Sequence, residues 1–279
     1  MNKIAILTDS ASNITENTTE GIFVVPLYVN YGNESKKDLV EITPDELFDK
    51  IDDANPSTSA PSIDDFGEKI QLIKDLGYQE IIAVAVSQTL SGTYNAMRLA
   101  LEDQDLPFKL IDSKTVTMPQ GLLVMYARHL INEGHTSEEI ETILNNKLHD
   151  AKVYATVSDL QYLIRGGRLS KIKGLVGGAL KINPILTIDE NGEIGKYRSI
   201  IGKKRALNFL VDQVKADLAN CNNYYLAIAY GRLQEDIAEI KEQLSELVER
   251  ADLYLEGPVT AVLGSHSGPS AYVVSYLKK

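Results

Sequence analysis

The chain has 279 residues with 28 Lys/Arg against 39 Asp/Glu, a net charge of −11, and a hydrophobic fraction of 44%. This is the composition of a globular protein with material for one large or two ordinary domains. The acidic balance argues against a general nucleic-acid binder, the lone Cys221 excludes a disulfide framework or a cysteine metal site, and no apolar window is long enough for a spanning helix.

In chain order, short apolar runs end abruptly in Ser, Thr, Asp or Gly. Lys3–Leu7 meets Thr8-Asp9-Ser10 and reads as a first strand, because it is too short for a signal peptide. Pro56-Ser57-Thr58-Ser59-Ala60-Pro61-Ser62 follows, a stretch rich in hydroxyls between prolines. It reads as a rigid donor loop for an oxyanion or as a capped linker. Asp64 to Gly77 carries Phe66, Ile70, Ile73 and Leu76 at helical spacing.

The strand Ile81–Val86 runs into Ser87-Gln88-Thr89-Leu90-Ser91-Gly92-Thr93-Tyr94. A helix starting at about Ser91 would aim free amides and two hydroxyls at one point, as an anion site or as a plain helix cap. Phe108–Ile111 precedes Asp112-Ser113, and two helices are expected over Gln120–Glu133 and Ser137–His149. Val153–Val157 is the next strand.

The segment Leu160 to Arg205 holds ten Lys/Arg and three Asp/Glu, a local +7 that leaves −18 for the remainder. It contains Arg165-Gly166-Gly167-Arg168-Leu169-Ser170-Lys171, which offers guanidinium forks to a phosphate or carboxylate or forms a surface turn. A hairpin is expected from Ile185–Ile188 and Ile194–Ile200. Beyond it come a strand at Tyr225–Ala229, a long charged helix over Leu233–Arg250, and a strand at Val259–Leu263. That last run opens Gly264-Ser265-His266-Ser267-Gly268-Pro269, and His266 is the one histidine in a Gly/Ser-rich turn at a strand end.

Apolar runs of this kind are the mark of buried parallel strands, and their alternation with helices predicts an α/β protein with ligands where strands end. Two α/β domains are expected, 1–150 with a mainly parallel sheet and 151–279 with a mixed one. No P-loop, dinucleotide fingerprint, nucleophile elbow or His-Glu-x-x-His is present, so neither a cofactor nor a metal is expected. A serine hydrolase assembled from Ser91, His266 and Asp9 or Asp112 is the alternative. An interaction protein using the basic zone is a third class.

Seven segments together resemble the DegV family across essentially the whole chain: Thr8-Asp9-Ser10, Thr58-Ser59-Ala60-Pro61-Ser62, Leu90-Ser91-Gly92-Thr93-Tyr94, Asp112-Ser113, Gly166-Gly167-Arg168, Asn183-Pro184-Ile185-Leu186 and His266-Ser267-Gly268-Pro269. The resemblance implies a cytoplasmic bacterial carrier that is not itself an enzyme. A long-chain fatty acid would lie in an apolar tunnel between the two domains. A separate fatty acid kinase subunit, which binds ATP, would phosphorylate the acid for phospholipid synthesis. Transient contact with a membrane surface is compatible with that role.

Carried over by resemblance, Thr58, Ser59, Ser91, Gly92 and Thr93 would hold the carboxylate with His266 beside them. Arg168 and Arg198 would serve phosphate or kinase contact. Ala60 departs from the longer polar residue often found in that loop, which leaves open which of its hydroxyls reaches the ligand. Leu27, Met118, Leu160, Leu163 and Ile185 are apolar candidates for the tunnel lining, or core.

Overall fold

The computed structural model describes residues 3–168, 182–232 and 235–279. In chain order its strands are β1 (Ile4–Asp9), β2 (Ile22–Val25), β3 (Tyr28–Tyr31), β4 (Glu34–Lys37), β5 (Ser57–Ser59), β6 (Glu80–Ala85), β7 (Phe108–Asp112), β8 (Ala151–Thr156), β9 (Ile182–Ile188), β10 (Ile194–Ile201), β11 (Tyr224–Tyr230), β12 (Leu253–Pro258) and β13 (Tyr272–Lys278). The helices are α1 (Pro44–Ala54), α2 (Ile63–Asp75), α3 (Thr93–Glu102), α4 (Met118–Asn132), α5 (Ser137–Lys147), α6 (Gln161–Arg165), α7 (Lys203–Leu218), α8 (Ile237–Gln243), α9 (Ser245–Arg250) and α10 (Ala261–Ser267).

The fold is α/β. One sheet, ordered β2-β1-β6-β7, is parallel throughout, as its unbroken apolar strands require once both faces are covered. The second, β10-β9-β8-β13-β11-β12, is mixed. β8 runs antiparallel to both neighbours, and β11 runs parallel to β12 but antiparallel to β13. The apolar run at Val153–Val157 therefore does not signal parallel pairing here, and the one at Tyr225–Ala229 does so on one side only. They reflect strands covered on both faces, whatever their direction. A small antiparallel sheet, β4-β3-β5, carries the Thr58 segment as an edge strand.

Helix α4 is apolar around most of its circumference because both sheets cover it. It packs on β1 and β6 of the parallel sheet and on β8, β11 and β13 of the mixed one. Ile6, Leu122, Val153, Tyr225 and Val273 consequently share one continuous core.

Two expected elements differ from the observed ones. The charged helix expected over Leu233–Arg250 is two short helices, α8 and α9, broken at Leu244. Its first two residues lie outside the described chain. Val259–Leu263 is not a strand. Thr260 is extended, and Ala261 onward winds into α10, which places His266 in the last helical turn rather than in a strand-end loop. A short apolar run carries no period that separates helix from strand, and here tertiary contacts decide. The buried Asp38 accepts a hydrogen bond from Val262 N–H at 3.3 Å, and Gly264 sits against Leu47 and Phe48 of α1 with no room for a side chain.

Helix α1 thus supports α10, and it is itself held by a capping box. Glu46 N–H donates to Thr43 Oγ1 at 3.3 Å, and Thr43 N–H donates to Glu46 Oε2 at 2.8 Å. Thr43→Ala is expected to lower stability by about 1 kcal/mol in urea unfolding.

Candidate functional site

A cavity of about 160 Å³ lies between the two larger sheets. Its floor is one face of the mixed sheet: Val153 and Ala155 from β8, Leu186 and Ile188 from β9, Ile194 from β10 and Val273 from β13. Its roof is α10, through Val262, Leu263, His266 and Ser267, together with Val259. Loops at the ends of β1, β6 and β7 close it with Ala11, Val86, Leu90, Val116 and Thr117. Of the expected apolar liners, Leu27 and Leu163 face the cavity. Met118 and Ile185 are core, and Leu160 packs beside a small cluster around Leu163.

Polar groups enter this lining mainly from the segments singled out in the sequence: Thr58, Ser59, Ser91, Arg168 and His266. The strands and helices that carry them are far apart in the chain. Thr58 Oγ1 and His266 Nε2 lie 2.8 Å apart across 208 residues. Ser91 Oγ is 2.8 Å from Thr93 Oγ1 and accepts a longer bond from Thr93 N–H at 3.3 Å. Helix α3 starts at Thr93 with Gly92 as its cap, two residues later than expected. Gly92 and Thr93 do not line the cavity; buried Thr93 orients Ser91 instead. Arg168 Nε donates to Leu90 O at 3.3 Å and Nη1 donates to Gly166 O, so this guanidinium bridges the hydroxyl loop and the end of α6. Leu169-Ser170-Lys171 of the same motif lie outside the described residues. Arg198 is elsewhere, exposed on β10 with its guanidinium 5.0 Å from the centre of the Phe209 ring.

His266 is neutral at neutral pH. Burial, reinforced by the nearby positive charges of Arg168 and Arg165, pushes its pKa down to about 4. What surface it retains borders the cavity, while its Nδ1 is enclosed against Gly166 and, among the described residues, has no hydrogen-bond partner. A buried N–H without an acceptor costs more than a buried lone pair. This assigns the proton to Nε2, where it is donated to Thr58 Oγ1. Thr58 then keeps its own O–H for a group in the cavity.

The remaining motifs are scaffold. Asp9 is fully buried and accepts from Val86 N–H (2.8 Å), Ala11 N–H (3.0 Å) and Gln120 Nε2 (3.1 Å), and burial pushes its carboxyl up to about 6. It ties the ends of β1 and β6 to α4. Asp112 accepts from the amides of Gln88 and Lys114. Ser87 and Thr89 donate to Gly192 O at 2.8 and 2.7 Å, docking the tip of the β9–β10 hairpin onto the hydroxyl loop. Both aspartates are engaged by backbone amides, Asp9 also by Gln120, and His266 bonds Thr58 rather than Ser91, so the triad of the alternative hydrolase reading is not assembled. Among the described residues, no helix is long and apolar enough to cross a membrane.

The sequence profile described as "Uncharacterised protein, DegV family" matches residues 3–279. A DegV domain-containing protein of Clostridium acetobutylicum is 32% identical over 284 residues, covering 100% of both chains. The solved structure of a DegV family protein from Thermus thermophilus, described by its fatty acid binding, superposes with a TM-score of 0.91 at 26% identity, covering 99% of this chain and 100% of its own. A stearic acid-binding protein from Eubacterium ventriosum gives 0.86 at 27% identity, covering 100% of this chain and 99% of its own. With a family profile matched along its whole described length, the chain belongs to the DegV family.

Proposed function

We propose that this protein binds a long-chain fatty acid in the cavity between its two larger sheets and presents the carboxyl group to a separate kinase subunit. The observation that carries the reading is the Thr58–His266 hydrogen bond at a polar cluster in an otherwise apolar cavity. In this reading the chain is a cytoplasmic carrier built from two α/β units meeting near residue 150. The acyl tail runs over Ala155 and Leu186. Each buried methylene contributes roughly 0.8 kcal/mol, so a tail of about fifteen gives about 12 kcal/mol gross, which survives association costs of several kcal/mol.

The carboxylate cannot enter such a cavity unpaired. Thr58, with its O–H freed by His266, and Ser91, held by Thr93, supply uncharged donors, and Ser59 stands at the same edge strand. Uncharged donors satisfy the oxygens while leaving one basic enough to attack a phosphoryl group. Arg168, held by two carbonyls beside Ser91, is placed to meet the negative charge that such a transfer develops. The partner kinase supplies ATP, and the resulting acyl phosphate would feed phospholipid synthesis.

Native mass spectrometry of the purified protein tests the reading. A bound fatty acid is expected, and Ser91→Ala should retain it at least about tenfold less tightly, the loss of one hydrogen bond to a charged group. A protein that is empty and ignores added stearate would sink the proposal. Labelling of Ser91 by a fluorophosphonate would favour a hydrolase instead.

A further inference from the structure

We infer that Val153 and Ile188 form the end stop of the acyl channel and set the longest chain the protein accepts. The inference rests on the fatty-acid reading and deepens it. Both residues line the main cavity and also a second, much smaller one of about 20 Å³ on its far side. They are therefore a wall between two spaces. The second space is more polar: beside Leu148 and Ala151 it is bounded by Lys114, Thr115, His149, Lys152, Asp189 and Glu190. A methyl terminus gains nothing by entering a polar space, where it would also strip water from charged groups.

The strand register explains why the wall stands there. Ala155 pairs with Leu186 in the antiparallel β8–β9 ladder, and Val153 and Ile188 each lie two residues beyond that pair, on the face that lines the cavity. The Thr187 hydroxyl donates to Val153 O at 2.8 Å and fixes the pair. At the other end of this row, Val157 packs with Leu163 of α6, whose C-cap Gly166 backs His266. The polar cluster and the wall thus sit at opposite ends of one stretch of sheet. From Val157 to Val153 is roughly 13 Å at the usual rise of a strand. Between them Ala155, flanked by Leu186 and Val273, leaves a shallow trough.

The test is retention of an equimolar series of saturated acids, from lauric to behenic, read by native mass spectrometry. V153A/I188A should shift the preferred acid upward by about two methylenes, the depth by which cutting both side chains back to Cβ moves the wall. Val153→Leu, which fills the same space without a cavity, should shift it downward and guards against a double variant that fails to fold. A wild type that retains acids while the folded variants keep its profile overturns the end stop alone. A wild type that retains none of the series sinks the fatty-acid reading, and the end stop with it.

Discussion

Gly166→Ala is expected to weaken binding of a fluorescent long-chain fatty acid by about tenfold to a hundredfold, the cost of roughly one lost hydrogen bond in the carboxylate network. A Cβ on Gly166 would overlap the Nδ1 edge of the His266 ring, so the ring must move, and Nε2 must leave Thr58. Backbone conformation is not at issue, because Gly166 has φ −70° and ψ −9°, which alanine adopts freely. The neighbouring glycine is the control. Gly167 has φ +71°, and no described residue beyond its chain neighbours stands within 4 Å of where its Cβ would be. Gly167→Ala should cost about 1 kcal/mol of stability through backbone strain while leaving affinity unchanged. Equal affinity for Gly166→Ala and wild type, measured by competition, would remove His266 from the ligand network.

The second large effect concerns acid. His266 accepts its proton near the ordinary 6.5 once unfolded but only at about 4 in the folded protein. Lowering the pH through that interval favours the unfolded chain, by up to about 3 kcal/mol. Asp9 acts in the opposite direction. Its folded carboxyl takes a proton at about 6, against 3.8 when unfolded, so acidification between those values favours the folded chain by up to about 3 kcal/mol. In the wild type the two contributions nearly cancel. His266→Asn removes one of them, so its stability relative to wild type should rise by about 3 kcal/mol between pH 7 and pH 4. Asp9→Asn should instead fall behind wild type by a similar amount over the same interval. Urea unfolding at the two pH values measures both, and parallel behaviour of all three proteins would refute the assignment of these groups.

Much of the polar cluster was legible because its chemistry is local. Hydroxyl-rich and glycine-rich segments at the ends of apolar runs announced Thr58, Ser91, Arg168 and His266, and the fold brings these to one cavity. What the sequence withheld was set by tertiary contact. His266 sits on a helix because Asp38, Leu47 and Phe48, far back in the chain, shape the backbone of α10. Thr93 turns its hydroxyl to Ser91 rather than to the cavity, a difference of one rotation about a helix start. Arg198 shares a basic segment with Arg168 but lies on β10 rather than in the turn after α6, since composition carries no direction. The liners Val86, Val116 and Leu186 are indistinguishable in sequence from Met118 and Ile185, because channel and core are lined by the same kinds of side chain.

The Thr58–His266 pair joins segments separated by 208 residues, and α10 rests on a helix made from the forties and fifties of the chain. During synthesis from one end to the other, the Thr58 strand must therefore wait, its hydroxyls open to solvent, until nearly all of the protein has left the ribosome. No partly made chain owns the complete Thr58–His266 cluster, so anything the cavity holds can be captured only once the walls around it exist.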